Sequence, residues 1–235
     1  YITLRGYSVA DITVTPYSHI WPRIKYGSYT VTQRGKRNVA CTLACPLASM
    51  ADTEIYIYSA DRPAAIGDLS PLQVGYANFS MATKLQSLKL GDSDASYENT
   101  RLTELYVGNN ELLTSLDVQN CSSLTQTVDL SGCIGIQSIL ATGSVVTGFT
   151  LPVGGKLQSM ALPGTVTNLT IRDQANFTTL TMAGYSALTT LRIENTPNVD
   201  LGTIINSATS LNRVRLINAE WTETSEATLQ ITIRR

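Results

Sequence analysis

The chain has 235 residues, 43% of them hydrophobic and only 15% charged, with 17 Lys+Arg against 18 Asp+Glu and a formal charge of −1. That length and apolar content suffice for a sizeable core. The balanced charge excludes a general nucleic-acid binder, which carries a large basic excess, and no stretch reaches the ~18–20 apolar residues of a membrane-spanning helix.

The chain opens on Tyr1 rather than Met, with no charged segment leading into an apolar one, and reads as a mature form, a fragment or a trimmed chain. Weak alternation over 1–15, 23–32 and 53–58, punctuated by Gly, Pro and Asp61-Arg62-Pro63, predicts short strands. Eight of the eleven tyrosines lie within the first 80 residues. Strand packing is the first reading of them and a carbohydrate or partner surface the second. Residues 1–48 are expected to form a small β-rich module or the remnant of a larger domain. Residues 49–84 are expected to cap the region that starts at Leu85, and residues 1–80 could carry a homo-oligomer or larger assembly.

From Leu85 onward the chain repeats itself. Each unit has an apolar residue, two others, an apolar residue, one other and a third apolar residue, as in Leu102-Leu105-Val107, Leu113-Leu116-Val118, Val166-Leu169-Ile171 and Leu188-Leu191-Ile193. Leu124-Val128-Leu130 fits with one inserted residue. Units start about 11 residues apart, and the last two apolar positions of each alternate as in a strand. Such a unit is too short to bury its own apolar face, so neighbours must stack around a common core. The expected architecture is a mostly β repeat solenoid of α/β type. Its coils of about 22 residues hold two units each, and their strands pair in parallel. A β-sandwich with Leu-rich strands is the competing architecture, but sandwich strands share no fixed internal phase. Small or amide residues after the strands (Asn110, Cys121, Cys133, Ser144, Gln174, Thr196) are expected to turn the chain and satisfy backbone groups inside each bend.

Leu102-Thr-Glu-Leu105-Tyr-Val107-Gly-Asn-Asn110-Glu-Leu112 matches L-x-x-L-x-L-x-x-N-x-L, and Leu113-Thr-Ser-Leu116-Asp-Val118-Gln-Asn-Cys121 carries the cysteine form of the same pattern. Over residues 85–221 the chain therefore resembles a leucine-rich-repeat protein, and the wording of its repeats resembles such proteins of gut-bacterial surfaces and of prophage tails or minor structural components. The resemblance implies a solenoid whose strand face binds a protein or glycan partner, outside the cell, on its surface or in a virion.

Two sets of units alternate. Set A begins at Leu102, Leu124, Val146, Val166, Leu188 and Leu211, and set B at Leu113, Ile136, Leu157 and Phe177. After Leu188 the set B unit is missing. In its place Leu201, Ile204, Ile205 and Ala208 fall at helical spacing, with Asn198 or Asp200 as cap. The last coil thus reads as strand-then-helix, as in leucine-rich repeats, and the resemblance implies that set A is the exposed binding face and set B the back. Residues 222–235 are expected to close the far end, with 228–233 alternating like an edge strand.

Charge and aromatic character gather on set A. Candidate binding residues are Tyr106, Asp129, Arg172, Arg192, Glu194, Arg213 and Arg215, acidic toward one end and basic toward the other. Arg192 and Arg215 should lie one strand spacing apart, where two like charges at ~5 Å repel by somewhat under ~1 kcal/mol in water. A sheet tolerates that if an anion or Glu194 sits between them. The basic end could grip an acidic or sugar-rich partner by bidentate guanidinium contacts, or be a solvated row in which Glu194 pairs locally.

No catalytic, cofactor or metal site is expected. His19 is the only histidine, so a multi-histidine site is impossible. Cys41, Cys45, Cys121 and Cys133 lack paired zinc spacings and read first as buried thiols. The alternative function is a carbohydrate-active solenoid enzyme using surface carboxylates such as Glu104, Asp117 or Asp129. A loop at Asp92 and Asp94 lacks a recognisable calcium spacing. A purely architectural subunit with its set A face covered by a neighbour is a further possibility.

Overall fold

The structure is a computed structural model. It describes residue 69 and residues 74–94 and 98–219 with their side chains, and the backbone strands at 2–6, 12–16, 23–26, 29–32, 41–43, 53–58 and 63–66. The side chains of His19, Cys41 and Cys45, and the expected closing strand at 228–233, lie outside the described residues.

Seven N-terminal strands come first: β1 (Ile2–Gly6), β2 (Ile12–Pro16), β3 (Arg23–Tyr26), β4 (Tyr29–Thr32), β5 (Cys41–Leu43), β6 (Thr53–Tyr58) and β7 (Pro63–Ile66). The solenoid strands then alternate between two faces. The set A face holds β8 (Tyr76–Asn78), β10 (Glu104–Tyr106), β12 (Thr127–Asp129), β14 (Gly148–Thr150), β16 (Asn168–Arg172), β18 (Thr190–Glu194) and β19 (Arg213–Ile217). The set B face holds β9 (Ser87–Lys89), β11 (Ser115–Asp117), β13 (Ser138–Leu140), β15 (Ser159–Leu162) and β17 (Thr179–Met182). The one helix among the described residues, α1 (Leu201–Ser207), stands where the next set B strand would fall.

The protein is thus mostly β, with about five stacked parallel coils of roughly 22 residues and a single helix among the described residues. Strands are short because each contributes one inward residue flanked by two outward ones, the pattern seen in β10 and β12. The inward residues, from Leu105 and Val128 to Leu169 and Leu191 on one face and from Leu88 to Met160 on the other, fill one continuous core. Asp200 caps α1 by accepting from the Thr203 amide at 3.1 Å, and Leu201 and Ile204 are buried. No described helix is long and apolar enough to cross a membrane.

The two faces differ in continuity. Set B forms one five-stranded parallel sheet in the order β17-β15-β13-β11-β9. Set A is divided: β8 and β10 belong to a sheet that continues antiparallel through β1, β6, β3 and β4, β12 pairs only with β14, and β16, β18 and β19 form a third group. The first coil starts before Leu85, because Val74, Ala77 and Phe79 occupy the repeat positions and β8 pairs in parallel with β10.

The bends hold the amides and small polar groups expected there. Asn110 donates to Phe79 O at 3.2 Å and to Val107 O. Ser144 donates to Ala141 O, and Thr196 to Glu194 O. Cys121 and Cys133 are free and buried, and burial pushes their thiols up to about 12 and about 11. Adjacent coils approach so closely at Gly91 that an added Cβ would lie 1.9 Å from Gln119 O. Gly91→Ala is expected to cost about 1–3 kcal/mol, the range of overpacking. A chemical-denaturation midpoint unchanged from wild type would contradict this contact.

Candidate functional site

The outward side chains of set A fall into two groups. At the far end, Arg192 pairs in register with Arg215 across β18 and β19, and Arg172 with Glu194 across β16 and β18. Because residues 192 and 194 share one face of β18, the register gathers three guanidinium groups around one carboxylate. Arg192 donates through Nε to Glu194 Oε1 at 2.8 Å and through Nη2 to Oε2 at 3.0 Å. Arg172 Nε donates to Oε2 at 2.8 Å, and Arg215 Nε lies 2.7 Å from Oε1. The arginines cover the carboxylate, leaving Glu194 only 5% exposed while their own side chains stay partly in solvent.

Hydrogen bonding from Arg192, joined by that from Arg172 and opposed by burial, holds the Glu194 carboxyl down at about 2. It is therefore ionised throughout the physiological range. Three positive groups against one negative leave a net +2 on this cluster. Arg172 hydrogen-bonds to Glu194 through Nε, so its terminal nitrogens are not used in that bond. The sequence left open whether Glu194 or an outside anion would relieve the Arg192–Arg215 repulsion, and Glu194 does so. Arg213 stands apart, opposite Thr190 on β19, with no ion pair among the described residues.

Tyr106 and Asp129 lie elsewhere, beside the gap between β10 and β12. No backbone hydrogen bond joins these strands, and the carboxamide of Gln126 bridges them instead. Its Oε1 accepts from Leu105 N at 3.2 Å and its Nε2 donates to Leu105 O at 2.6 Å. Gln126 belongs to the unit with the inserted residue. A cleft of about 310 Å³ opens here, with Tyr106, Asn109, Thr127, Asp129 and Ser131 on its walls. Tyr106 donates to Glu104 at 3.0 Å, which raises the pKa of its hydroxyl, and its ring rests against Tyr76 at 5.8 Å between centroids. Asp129 Oδ1 accepts from Ser131 N at 2.9 Å.

Thus the structure joins Arg172, Arg192, Glu194 and Arg215 in one cluster and places Tyr106 and Asp129 together in another, roughly 15 Å away at three strand spacings. Asn109, Gln126, Thr127 and Ser131 were not among the candidate binding residues. The inserted residue before Val128 is the one sequence signal that could have found Gln126. Of the other carboxylates considered, Glu104 and Asp129 lie on neighbouring set A strands and Asp117 on the opposite sheet. Asp92 takes the Lys89 ammonium and the Asp94 amide. Among the described residues no group of three or more His, Cys, Asp or Glu is placed to hold a metal ion. Compared with known protein families, curated proteins and solved structures, the chain matches none.

Proposed function

We propose that this is a non-enzymatic binding or structural protein of the leucine-rich-repeat type, whose set A strand face recognises a protein or glycan partner as part of a phage-tail component or a bacterial surface adhesin-like protein. The observation that carries the reading is the arginine cluster. Three guanidinium groups are already oriented by a shared carboxylate, so little side-chain entropy is lost when an acidic partner engages their remaining donors. Arg213 adds a further charge on the same edge strand. The repeat phase and the strand-then-helix last coil support the leucine-rich-repeat assignment, and the small, weakly charged set B face suits a back rather than a contact surface.

The test is binding of the purified chain to a panel of sulfated and carboxylated glycans and to acidic peptides. A ligand of this class should bind more weakly as salt rises. The triple variant Arg172→Ala, Arg192→Ala, Arg215→Ala should lose at least about tenfold in affinity, since each charged hydrogen bond contributes about 1.5–3 kcal/mol. Unchanged affinity in that variant would remove the arginines from the binding surface.

A further inference from the structure

The cleft between β10 and β12 goes beyond this reading, because its chemistry is the opposite of the arginine end. No cation lines it and a carboxylate does, so an anion is disfavoured there. It presents one carboxylate, an aromatic ring and uncharged amide and hydroxyl groups. We infer that it is a binding subsite for one ring of a neutral sugar.

Several observations converge on that class. Tyr106 is 48% exposed, yet its hydroxyl is tied to Glu104 and its ring is backed by Tyr76. An aromatic ring held still with one face in solvent suits the apolar C–H face of a pyranose, and it is ordered before the ligand arrives. On the opposite wall Asp129 uses Oδ1 for the Ser131 amide. Its other oxygen remains as an acceptor for a sugar hydroxyl, and Asn109, Thr127 and Ser131 supply further donors and acceptors beside it. A volume of about 310 Å³ is at the small end of ligand pockets, enough for a single ring.

The floor is built to stay open. An added Cβ on Gly132 would fall 2.1 Å from Asn109 Oδ1, so the glycine leaves the Asn109 carboxamide its place. Gln126 closes the broken ladder beneath by satisfying both Leu105 backbone groups, so the gap leaves these polar groups paired without filling the cleft. The second interruption of the set A ladder shows another outcome. There Gln174 bridges from below and is completely buried.

The experiment is ligand-observed saturation-transfer NMR and calorimetry on the full chain. The probes are neutral hexoses and N-acetylhexosamines, with a hexuronic acid and a hexosamine as charged comparisons. At least one neutral sugar should bind in the millimolar range, with affinity constant between about 0.05 and 0.5 M salt because no net charge is neutralised. Tyr106→Ala should weaken that sugar about tenfold or more and Asp129→Asn by several-fold, whereas Tyr106→Phe, which keeps the ring, should restore most of the loss. Far-ultraviolet circular dichroism of each variant checks that the coils remain folded. The inference is overturned if no neutral sugar binds, if the hexuronic acid or the hexosamine is preferred, or if a folded Tyr106→Ala binds like wild type. Sugar binding that falls with salt would place the sugar on the arginines and likewise overturn it.

Discussion

Gln174→Ala should destabilise the protein by about 3–5 kcal/mol, the sum of several buried polar groups losing their partners at once. Gln174 is fully buried. Its Oε1 accepts from Leu157 N at 3.1 Å, and its Nε2 donates to Pro152 O at 2.7 Å and to Arg172 O at 3.1 Å. The carboxamide therefore occupies the place of a peptide group where Pro152, which has no amide hydrogen, follows β14. Alanine leaves the buried Leu157 amide and Pro152 carbonyl without it, while Arg172 O keeps only the long bond from Gly154 N at 3.5 Å. Gln174→Glu can still accept from Leu157 but cannot donate to the carbonyls, so it should be no better tolerated. Gln126→Ala makes the comparison: Gln126 spans the other gap but is only half-buried, water can replace it, and a loss near 1 kcal/mol is expected. Urea denaturation of the three variants is the measurement. Equal costs at the two glutamines would mean that burial does not distinguish the gaps.

Glu194→Gln should remove a pH-dependent part of the stability. The folded carboxyl is held at about 2, against an ordinary value of 4.5, chiefly because Arg192 hydrogen-bonds to it. A carboxyl that binds its proton less readily when folded stabilises the fold fully above about pH 4.5, and that contribution disappears as pH falls toward about 2. The variant should therefore melt below wild type at neutral pH, with the difference narrowing through that acid window. At neutral pH it also leaves Arg172, Arg192 and Arg215 together without their shared anion. Added salt should raise its melting temperature more than that of wild type, since screening relieves repulsion between exposed charges. A difference in melting temperature that stays constant from pH 7 to about pH 2 would show that the carboxylate charge is not what stabilises the cluster.

Much of the architecture was legible because a solenoid repeats its rule in every coil. The phase of Leu102-Leu105-Val107 and its successors places the inward residues, and the spacing of Leu201, Ile204 and Ala208 gives α1. Equal phase also puts Arg192 opposite Arg215 on sequence grounds alone. What the pattern missed lies where the rule changes. Val74-Ala77-Phe79 is the first coil's unit, but its central residue is a weakly apolar Ala, and the longer spacing over 91–101 sets it out of step with the next coil. The insertion before Val128 was visible, but its effect was not. Whether an extra residue makes a bulge, a gap or a cleft depends on which side chain reaches across, and Gln126 is identifiable only once the strands have positions. Glu194 was legible as a possible partner for arginines. Its role as the centre of three was not, because repeat phase places Arg172 beside Glu194 and Arg192 beside Arg215 but does not say which way the long side chains turn.

The uneven continuity of the two faces has a mechanical consequence. Set B is an unbroken five-stranded sheet, whereas strand pairing on set A lapses at two places, at each of which a glutamine carboxamide reaches across. In a stack where each coil touches only its neighbours, bending concentrates wherever the tie between neighbours is weakest. The unbroken set B ladder therefore ties neighbouring coils together more firmly than the set A face does, and relative movement of coils should concentrate at the two places where set A pairing lapses.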